Sequence, residues 1–256
     1  MYLTQALKRT AQIAGGEVAT SCAGRVRTWR ECRDRVARMA GALHKLGLGA
    51  GDRAAVLALN SDRYFEFYYA VSWAGGVFVP INIRLAAPEI AYWVNDSGAE
   101  ILFIDNRFAP ILEALDGQIE NVRELIYIGD GPTPDGMHGY EQLIDEHDSV
   151  NDAGRGYDEL AGLFYTDGTT GRSKGVMLSH QNLVCNSYNV IPGFGYGSGM
   201  RWLHAAPMFH IADALAIFGV TMVSGSHYFI PGFTPTISCR PSRRTGLPTP
   251  CWCRSW

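Results

Sequence analysis

The sequence predicts an α/β fold in which a mostly parallel β-sheet is flanked by helices. Short apolar runs that suit buried strands alternate along the chain with longer stretches of helical periodicity. This alternation is typical of parallel sheets that are covered on both faces. The chain has 256 residues, of which 47% are hydrophobic. It therefore has enough apolar material for a substantial core.

The first fifty residues predict a short amphipathic helix, a hairpin and a long helix. The hairpin turns at Ala23 and Gly24. Thr28 begins the long helix, and Glu31 three positions later completes a capping-box pattern. Gly47 ends the helix. Spacings of three and four residues give this helix one apolar stripe, formed by Trp29, Cys32, Val36, Met39, Leu43 and Leu46.

Two groups of side chains receive structural interpretations rather than functional ones. The arginines of the long helix are expected to form its solvated face; they are Arg30, Arg33, Arg35 and Arg38. An aromatic cluster further along the chain suggests a cofactor site at first sight, but core packing explains it better. This cluster contains Tyr64, Phe65, Phe67, Tyr68, Tyr69 and Trp73.

The next eighty residues supply the strands and helices of the predicted sheet. A buried strand over residues 54–59 precedes a helix over 62–73, which Gly75 and Gly76 end. Pro88 suits the first turn of a further helix that runs to about Asp96. The remaining strands are expected over residues 77–80, 101–104 and 125–128.

The segment over residues 163–180 carries the strongest chemical signal. Between two apolar runs it concentrates glycines, hydroxyl side chains, Arg172 and Lys174. Glycines let backbone N–H groups approach an anion, hydroxyls add rotatable donors, and lysine supplies a mobile positive charge. The segment is therefore predicted to bind phosphate in a loop between two strands. A helix begins after it, with Ser179 as N-cap.

Two other phosphate-binding motifs do not fit this sequence. A Walker-type loop needs glycine, four residues and then Gly-Lys-Ser/Thr. Counted from Gly168, Ser173 stands at the second glycine position and Gly175 replaces the hydroxyl that would bind Mg²⁺. The glycine-rich stretches at 47–52 and 193–198 also lack the last glycine of a dinucleotide-binding turn.

The phosphate-loop segment resembles the motif Tyr-Thr-Ser-Gly-Thr-Thr-Gly-x-Pro-Lys-Gly of the adenylate-forming (AMP-binding) acyl-CoA synthetases, which include the long-chain fatty-acid–CoA ligases. The resemblance implies the N-terminal part of that family's large domain and a loop that holds ATP phosphates together with Mg²⁺. The implied residues are Thr166, Asp167, Gly168, Thr169, Thr170, Gly171, Arg172, Ser173 and Lys174. Asp167 and Ser173 depart from the motif, at its serine and its proline.

A second segment, Pro207-Met208-Phe209-His210, follows a predicted strand and precedes an apolar helix. It resembles the family's Pro-x-Phe-His segment. The resemblance implies that Phe209 and His210 line the passage to the site of the acyl carboxylate. His204 and His227 are interpreted as scaffold residues. The family joins a carboxylic acid to coenzyme A through an acyl-adenylate, so a fatty acid and coenzyme A are the implied substrates.

The organisation of the chain changes near residue 236. Residues 237–256 contain no acidic side chain and no periodicity. We expect residues 1–236 to form a partial adenylation domain and residues 237–256 an aberrant, disordered tail, produced by out-of-frame translation or present by nature. The family's later Tyr-Gly-x-Thr-Glu segment and distal catalytic lysine are not found. The expected product is therefore a truncated, catalytically incompetent ligase. A non-catalytic α/β binding module is the alternative, and an unrelated ATP-binding kinase is disfavoured by the failed Walker pattern.

Composition excludes several other functions. The net charge is −3 and no basic block occurs in the first two hundred residues, so a nucleic-acid partner is not expected. No apolar run is long enough for a signal peptide or a transmembrane segment, and a cytoplasmic location is expected. The six cysteines include no Cys-x-x-Cys pair, which argues against a structural zinc site.

Overall fold

A computed structural model describes residues 1–166 and 172–232 of the chain. Eight α-helices lie within these ranges: α1 Thr4–Ile13, α2 Trp29–Lys45, α3 Asp62–Ala74, α4 Ala87–Ser97, α5 Leu112–Leu115, α6 Tyr140–Glu146, α7 His180–Phe194 and α8 Ile211–Met222. The strands of the same ranges are β1 Val18–Cys22, β2 Arg25–Thr28, β3 Arg53–Leu57, β4 Val77–Pro80, β5 Ala99–Ile104, β6 Glu124–Tyr127, β7 His138–Gly139, β8 Leu160–Thr166, β9 Lys174–Ser179, β10 Arg201–His204 and β11 Ser226–Phe229.

The strands form two sheets. The larger sheet has the order β7-β6-β5-β3-β4-β8-β9, and its neighbours are parallel except for the antiparallel pair β8–β9. The smaller sheet has the order β10-β11-β1-β2 and ends in the antiparallel hairpin β1–β2. The predicted α/β class with a mostly parallel sheet is confirmed. The smaller sheet was not predicted, because it pairs Thr20 with His227 across most of the chain.

Local capping explains where the main helices begin and end. The Thr28 hydroxyl accepts the backbone N–H of Glu31, and the Glu31 carboxylate accepts the backbone N–H of Thr28. Ser61 caps α3 in the same way through the backbone N–H of Tyr64. Gly75 ends α3 with φ of 87°, a conformation that favours glycine. The capping box predicted for α2 and the glycine stop of α3 are both confirmed.

Helix α3 lies between the two sheets, in contact with β1 of the smaller sheet and with β3 and β4 of the larger one. All thirteen of its residues are buried, which a helix in contact with apolar surfaces on every side requires. Its rings contact rings of both sheets: the centroid of Tyr68 lies 4.9 Å from that of Phe78 in β4, and the centroid of Phe65 lies 6.3 Å from that of Phe229 in β11. The interpretation of the aromatic cluster as core is confirmed.

The arginines of α2 correct one prediction. Arg30 is exposed as expected, but the side chain of Arg35 is only 15% exposed. Its guanidinium donates to both carboxylate oxygens of the fully buried Glu66, at 2.7 and 3.0 Å, and also contacts Glu141. The solvated-face interpretation is therefore wrong for Arg35. The reason is that α2 packs against α3, which presents a buried carboxylate to it.

Candidate functional site

The predicted phosphate loop joins two paired strands. β8 and β9 are antiparallel, with Thr166 opposite Lys174 and Tyr165 opposite Gly175. The loop therefore begins and ends at neighbouring positions of the same sheet. This confirms the strand–loop–strand arrangement and differs from a Walker loop, which leads directly into a helix. Asp167, Gly168, Thr169, Thr170 and Gly171 lie outside the described residues.

The described residues at the two ends of the loop present polar groups to solvent. Thr166, Arg172 and Lys174 are exposed, and Ser173 is half-buried. Two cationic side chains thus stand within three residues, next to a hydroxyl group on the facing strand. Arginine offers a planar set of donors and lysine a compact charge, and both suit phosphate oxygens.

Gly175 has a packing role at the base of this loop. A Cβ atom at this position would lie 3.1 Å from the Tyr165 ring, which covers the glycine from the facing strand. A side chain at 175 would therefore force the ring to move. The absence of a side chain at Gly175 therefore lets the Tyr165 ring pack directly on β9.

Helix α7 follows β9 directly and fixes how the strand ends. The Ser179 hydroxyl accepts the backbone N–H of Asn182, and the Asn182 amide oxygen accepts the backbone N–H of Ser179. The N-cap predicted at Ser179 is confirmed. His180 is buried, and its Nδ1 accepts the backbone N–H of Leu3 at 3.4 Å. Burial lowers the pKa of His180 to about 4, so the imidazole is neutral at pH 7.

The second predicted site segment lies at the start of α8. His210 is the N-cap of this helix and is exposed; its Nδ1 accepts the backbone N–H of Ala212 at 3.3 Å. Phe209 beside it is half-buried. Both side chains thus stand at a helix N-terminus, where positive partial charge favours a carboxylate.

Asn60 holds the backbone that precedes α8, and sequence reasoning missed it. Its Nδ2 donates to the carbonyls of His204 and Ala206, and its Oδ1 accepts the backbone N–H of Met208 at 2.8 Å. Tyr68 adds a hydrogen bond from its hydroxyl to the Met208 carbonyl at 2.7 Å. Asn60 follows a strand in the sequence, but nothing local links it to a segment 144 to 148 positions away.

His204 and His227 lie in a buried hydrogen-bonded chain. Thr221 donates its hydroxyl proton to the Ile217 carbonyl, so it accepts from Nε2 of His227 at 3.1 Å. Nδ1 of His227 then accepts from Nε2 of His204 at 2.9 Å, and Nδ1 of His204 lies 2.7 Å from the Asp213 carboxylate. Burial, and then the neighbouring His204, lower the pKa of His227. The two histidines thus tie the smaller sheet to α8, in agreement with the scaffold interpretation.

The two candidate segments occupy different elements that are packed together. Helix α7, which begins where β9 ends, packs against α8. A series of rings makes the second connection: Phe164 of β8 lies 5.9 Å from Phe78, which lies 6.3 Å from Phe218 of α8. A continuous apolar core therefore connects the strands of the phosphate loop with the helix that carries His210 at its start.

Two further properties of the described residues bear on function. Within residues 1–166 and 172–232, no three His, Cys, Asp or Glu side chains are grouped so that they could hold a metal ion. The helices in these ranges also include none long and apolar enough to cross a membrane.

Comparisons with known proteins identify the same family as the phosphate-loop motif. The sequence pattern of the AMP-binding enzyme family matches residues 7–243. The chain is 35% identical over 208 residues to a long-chain-fatty-acid–CoA ligase of Thermus thermophilus, which covers 80% of this chain and 38% of the ligase. It is 36% identical to a feruloyl-CoA synthase of an Amycolatopsis species, over 85% of this chain and 41% of the synthase.

A solved structure has a similar fold. The crystal structure of ATP-bound MatB from Rhodopseudomonas palustris superimposes with a TM-score of 0.79 at 29% identity, covering 93% of this chain and 47% of MatB. The chain thus spans about two fifths of the length of the curated relatives described above.

Proposed function

Because the chain belongs to the AMP-binding enzyme family, we propose that it is part of an ATP-dependent acid–thiol ligase that joins a carboxylic acid to coenzyme A. In this proposal the acid is a fatty acid, and it is activated as an acyl-adenylate with release of pyrophosphate. The two relatives described above are a long-chain-fatty-acid–CoA ligase and a feruloyl-CoA synthase. We further propose that the reaction takes place in the cytoplasm.

The observation that carries this proposal is the pairing of Thr166 with Lys174 at the end of the β8–β9 hairpin. This pairing closes the Gly/Thr-rich segment into a loop with an exposed lysine at its exit. In the proposed mechanism the loop from Thr166 to Lys174 binds the β- and γ-phosphates of ATP and then the departing pyrophosphate. Fixed donors of this kind stabilise charge without reorganisation during the reaction.

Mg²⁺ fits this arrangement as an ion that arrives with the nucleotide. The described loop residues are hydroxyl and cationic side chains, which suit phosphate oxygens better than a resident metal ion. When bound, Mg²⁺ neutralises part of the phosphate charge. Lys174 and Arg172 supply the charge that the protein itself contributes.

Asp167 makes the proposed site weaker than the family motif implies. Its carboxylate replaces a serine and brings negative charge towards the phosphates. Two unit charges about 5 Å apart at an effective dielectric constant of 20 repel each other by roughly 3 kcal/mol. Arg172 and Lys174 offset part of this repulsion. Phe209 and His210 are proposed to line the acid site, where the start of α8 and the imidazole face the substrate carboxylate.

We also propose that the 256 residues alone bind Mg·ATP weakly and do not complete the reaction. The sequence contains neither the Tyr-Gly-x-Thr-Glu segment nor the distal lysine that the family uses, and Lys174 belongs to the phosphate loop. Lys174 is therefore not available to replace the distal lysine.

The test is to incubate the chain with Mg·ATP, coenzyme A and a panel of carboxylic acids that includes fatty acids of several lengths and ferulate. Pyrophosphate release is measured. We expect no pyrophosphate release above background. Release that depends on the acid and is lost in Lys174→Ala would contradict the inactivity and support the ligase assignment. ATP hydrolysis without an acid would favour a kinase-like or ATPase function, and absence of any nucleotide binding would favour the non-catalytic binding module.

A further inference from the structure

Helix α4 contacts the strand that enters the proposed phosphate loop. The indole of Trp93 stacks on the ring of Tyr165, with centroids 4.7 Å apart and an angle of 21° between the planes. The Tyr165 hydroxyl donates to the Asp96 carboxylate at 2.6 Å. Burial, and then the hydrogen bond and charge of Asp96, raise the pKa of Tyr165. The phenol therefore stays protonated and remains a donor at neutral pH. The end of β8, directly before the loop, is thus fixed to α4.

The same helix contacts the chain where it leaves the loop, directly before β9. The Tyr92 hydroxyl donates to the backbone carbonyl of Ser173 at 3.1 Å. The guanidinium of Arg172 lies 5.4 Å from the centroid of the Tyr92 ring, within the range of a cation–π contact. Arg172 is exposed. Tyr92 thus orients both the main chain at 173 and one of the two cations at the loop exit.

The two polar residues of α4 that contact the loop ends lie on one face of the helix, because Tyr92 and Asp96 are four residues apart. Asp96 accepts a hydrogen bond from Tyr165 of β8, and Tyr92 donates one to Ser173, which directly precedes β9. One turn of α4 therefore contacts the chain on both sides of the loop.

The helix is a rigid support for these contacts. Pro88 lies in its first turn, and Gly98 caps its end with φ of 66°. Ile90, Trp93 and Val94 are buried in the core of the larger sheet. The polar contacts to the hairpin extend from the same helix, so its position determines where both loop ends stand.

We propose that Tyr92 and Asp96 are positioning residues for nucleotide phosphates, because they hold the entry and the exit of the loop at a fixed separation. This inference rests on the proposed function of the loop. Groups that are held in place before a ligand binds lose less conformational entropy on binding, and this applies to Thr166, Arg172 and Lys174 at the loop ends. Arg172 is also held beside the loop by the Tyr92 ring, a contact that does not neutralise its charge.

The first test measures Mg·ATP affinity of the 256-residue chain by titration calorimetry. Asp96→Ala and Tyr92→Phe each remove one hydrogen bond from the loop base, and each is expected to weaken binding about three- to tenfold. Asp96→Asn retains an acceptor oxygen for Tyr165 and is expected to restore most of the affinity. A purely structural role would not separate Asn from Ala at equal thermal stability.

Asn95→Ala is the matched control. Asn95 lies next to Asp96 on α4; its side chain donates to the Gln118 carbonyl at 2.6 Å and accepts the backbone N–H of Glu120 at 3.0 Å. Its loss removes two hydrogen bonds from the same helix, neither of which involves the β8–β9 hairpin. The affinity for Mg·ATP should stay within about twofold of the parent chain. Equal loss of affinity in Asn95→Ala and Asp96→Ala would overturn the inference.

A second measurement does not depend on nucleotide. Amide hydrogen exchange of residues 164–166 and 174–176 is compared in the free chain, and Asp96→Ala and Tyr92→Phe should accelerate it about fivefold while Asn95→Ala leaves it unchanged. Unchanged exchange in both loop-base variants would overturn the inference. If the parent chain does not bind Mg·ATP at all, the proposed function fails instead, and the exchange rates still decide whether α4 holds the loop ends.

Discussion

Helix α3 and the β8–β9 hairpin differ in which side chains they bury: α3 buries its charged side chains, whereas the hairpin exposes both charged and apolar ones. Every residue of α3 is buried, and its two carboxylates, Asp62 and Glu66, are paired with arginines from other elements. The hairpin instead exposes apolar side chains, with Met177 at 68%, and its cationic residues Arg172 and Lys174 stand in solvent.

This difference distinguishes charged residues that stabilise the fold from charged residues that can bind a ligand. Buried charges destabilise a protein unless several partners pair with them. The arginines around α3 pair with its buried carboxylates and therefore serve the stability of the fold. An exposed lysine at a loop exit costs little and stays available to a ligand. We therefore expect substitutions near α3 to change the free energy of unfolding, and substitutions at the hairpin to change nucleotide affinity.

The largest effect is expected from Arg35→Met. The substitution keeps most of the side-chain volume but leaves Glu66 buried with fewer charge partners. The free energy of unfolding should fall by about 3 to 5 kcal/mol. Urea denaturation followed by circular dichroism measures this loss. Arg30→Met, on the exposed face of the same helix, serves as control and should change stability by less than about 0.5 kcal/mol. Similar stabilities of the two variants would show that the ion cluster contributes little.

Acid is expected to destabilise the junction between β9 and α7. The pKa of His180 is about 4 in the folded chain and 6.5 in the unfolded reference, because burial disfavours the imidazolium; Glu159 and Asp152 oppose this shift and Arg155 supports it. The stabilisation is complete above pH 6.5 and is lost as the pH falls from 6.5 towards 4. The loss approaches about 3 kcal/mol, since one pKa unit corresponds to about 1.4 kcal/mol.

His180→Asn isolates this contribution. Asparagine offers an acceptor in place of Nδ1 but does not titrate. The difference in stability between the parent and the variant should therefore shrink as the pH is lowered from 6.5 to 4. Other groups, such as the buried His227, titrate in both proteins and cancel in the comparison. A difference that stays constant with pH would contradict the assignment.

A smaller effect is expected from Gly162→Ala, which acts where the hairpin meets the core. Gly162 of β8 pairs with Phe78 of β4, and an added Cβ would collide with the Phe78 ring. Overpacking of this kind costs about 1 to 3 kcal/mol. Gly16→Ala adds the same atom where nothing lies within 4 Å and is the control. If both variants unfold at the same urea concentration, the contact between hairpin and core is not tight.

Much of the fold was predictable because its signals are local. Caps at Thr28 and Ser179, the glycine that ends α3 and the apolar runs of the large sheet each act within a few residues. The two strands that flank the phosphate loop were predicted for the same reason, whereas their antiparallel pairing emerges only from the structure. The composition of residues 163–180 also predicts phosphate binding from local signals alone.

The missed features depend on contacts between distant segments. Arg35 was misassigned because its partner Glu66 is carried by another helix, and no motif links the two positions in the sequence. Asn60, which holds the segment before α8, and Asp96, which holds the loop entry, have no periodicity or motif that marks them. One local signal was available for Glu66: a carboxylate in the middle of an otherwise aromatic helix needs a buried partner.

The most direct test of the account is a calorimetric titration of the 256-residue chain with Mg·ATP, repeated with Lys174→Ala and Lys45→Ala. Lys45 is exposed at the end of α2 and controls for the loss of one positive charge. We predict saturable binding that Lys174→Ala weakens by about ten- to a hundredfold, which corresponds to the loss of a charge-assisted hydrogen bond, while Lys45→Ala leaves the affinity unchanged. Absence of binding by the parent chain, or equal affinities of the two variants, would contradict it.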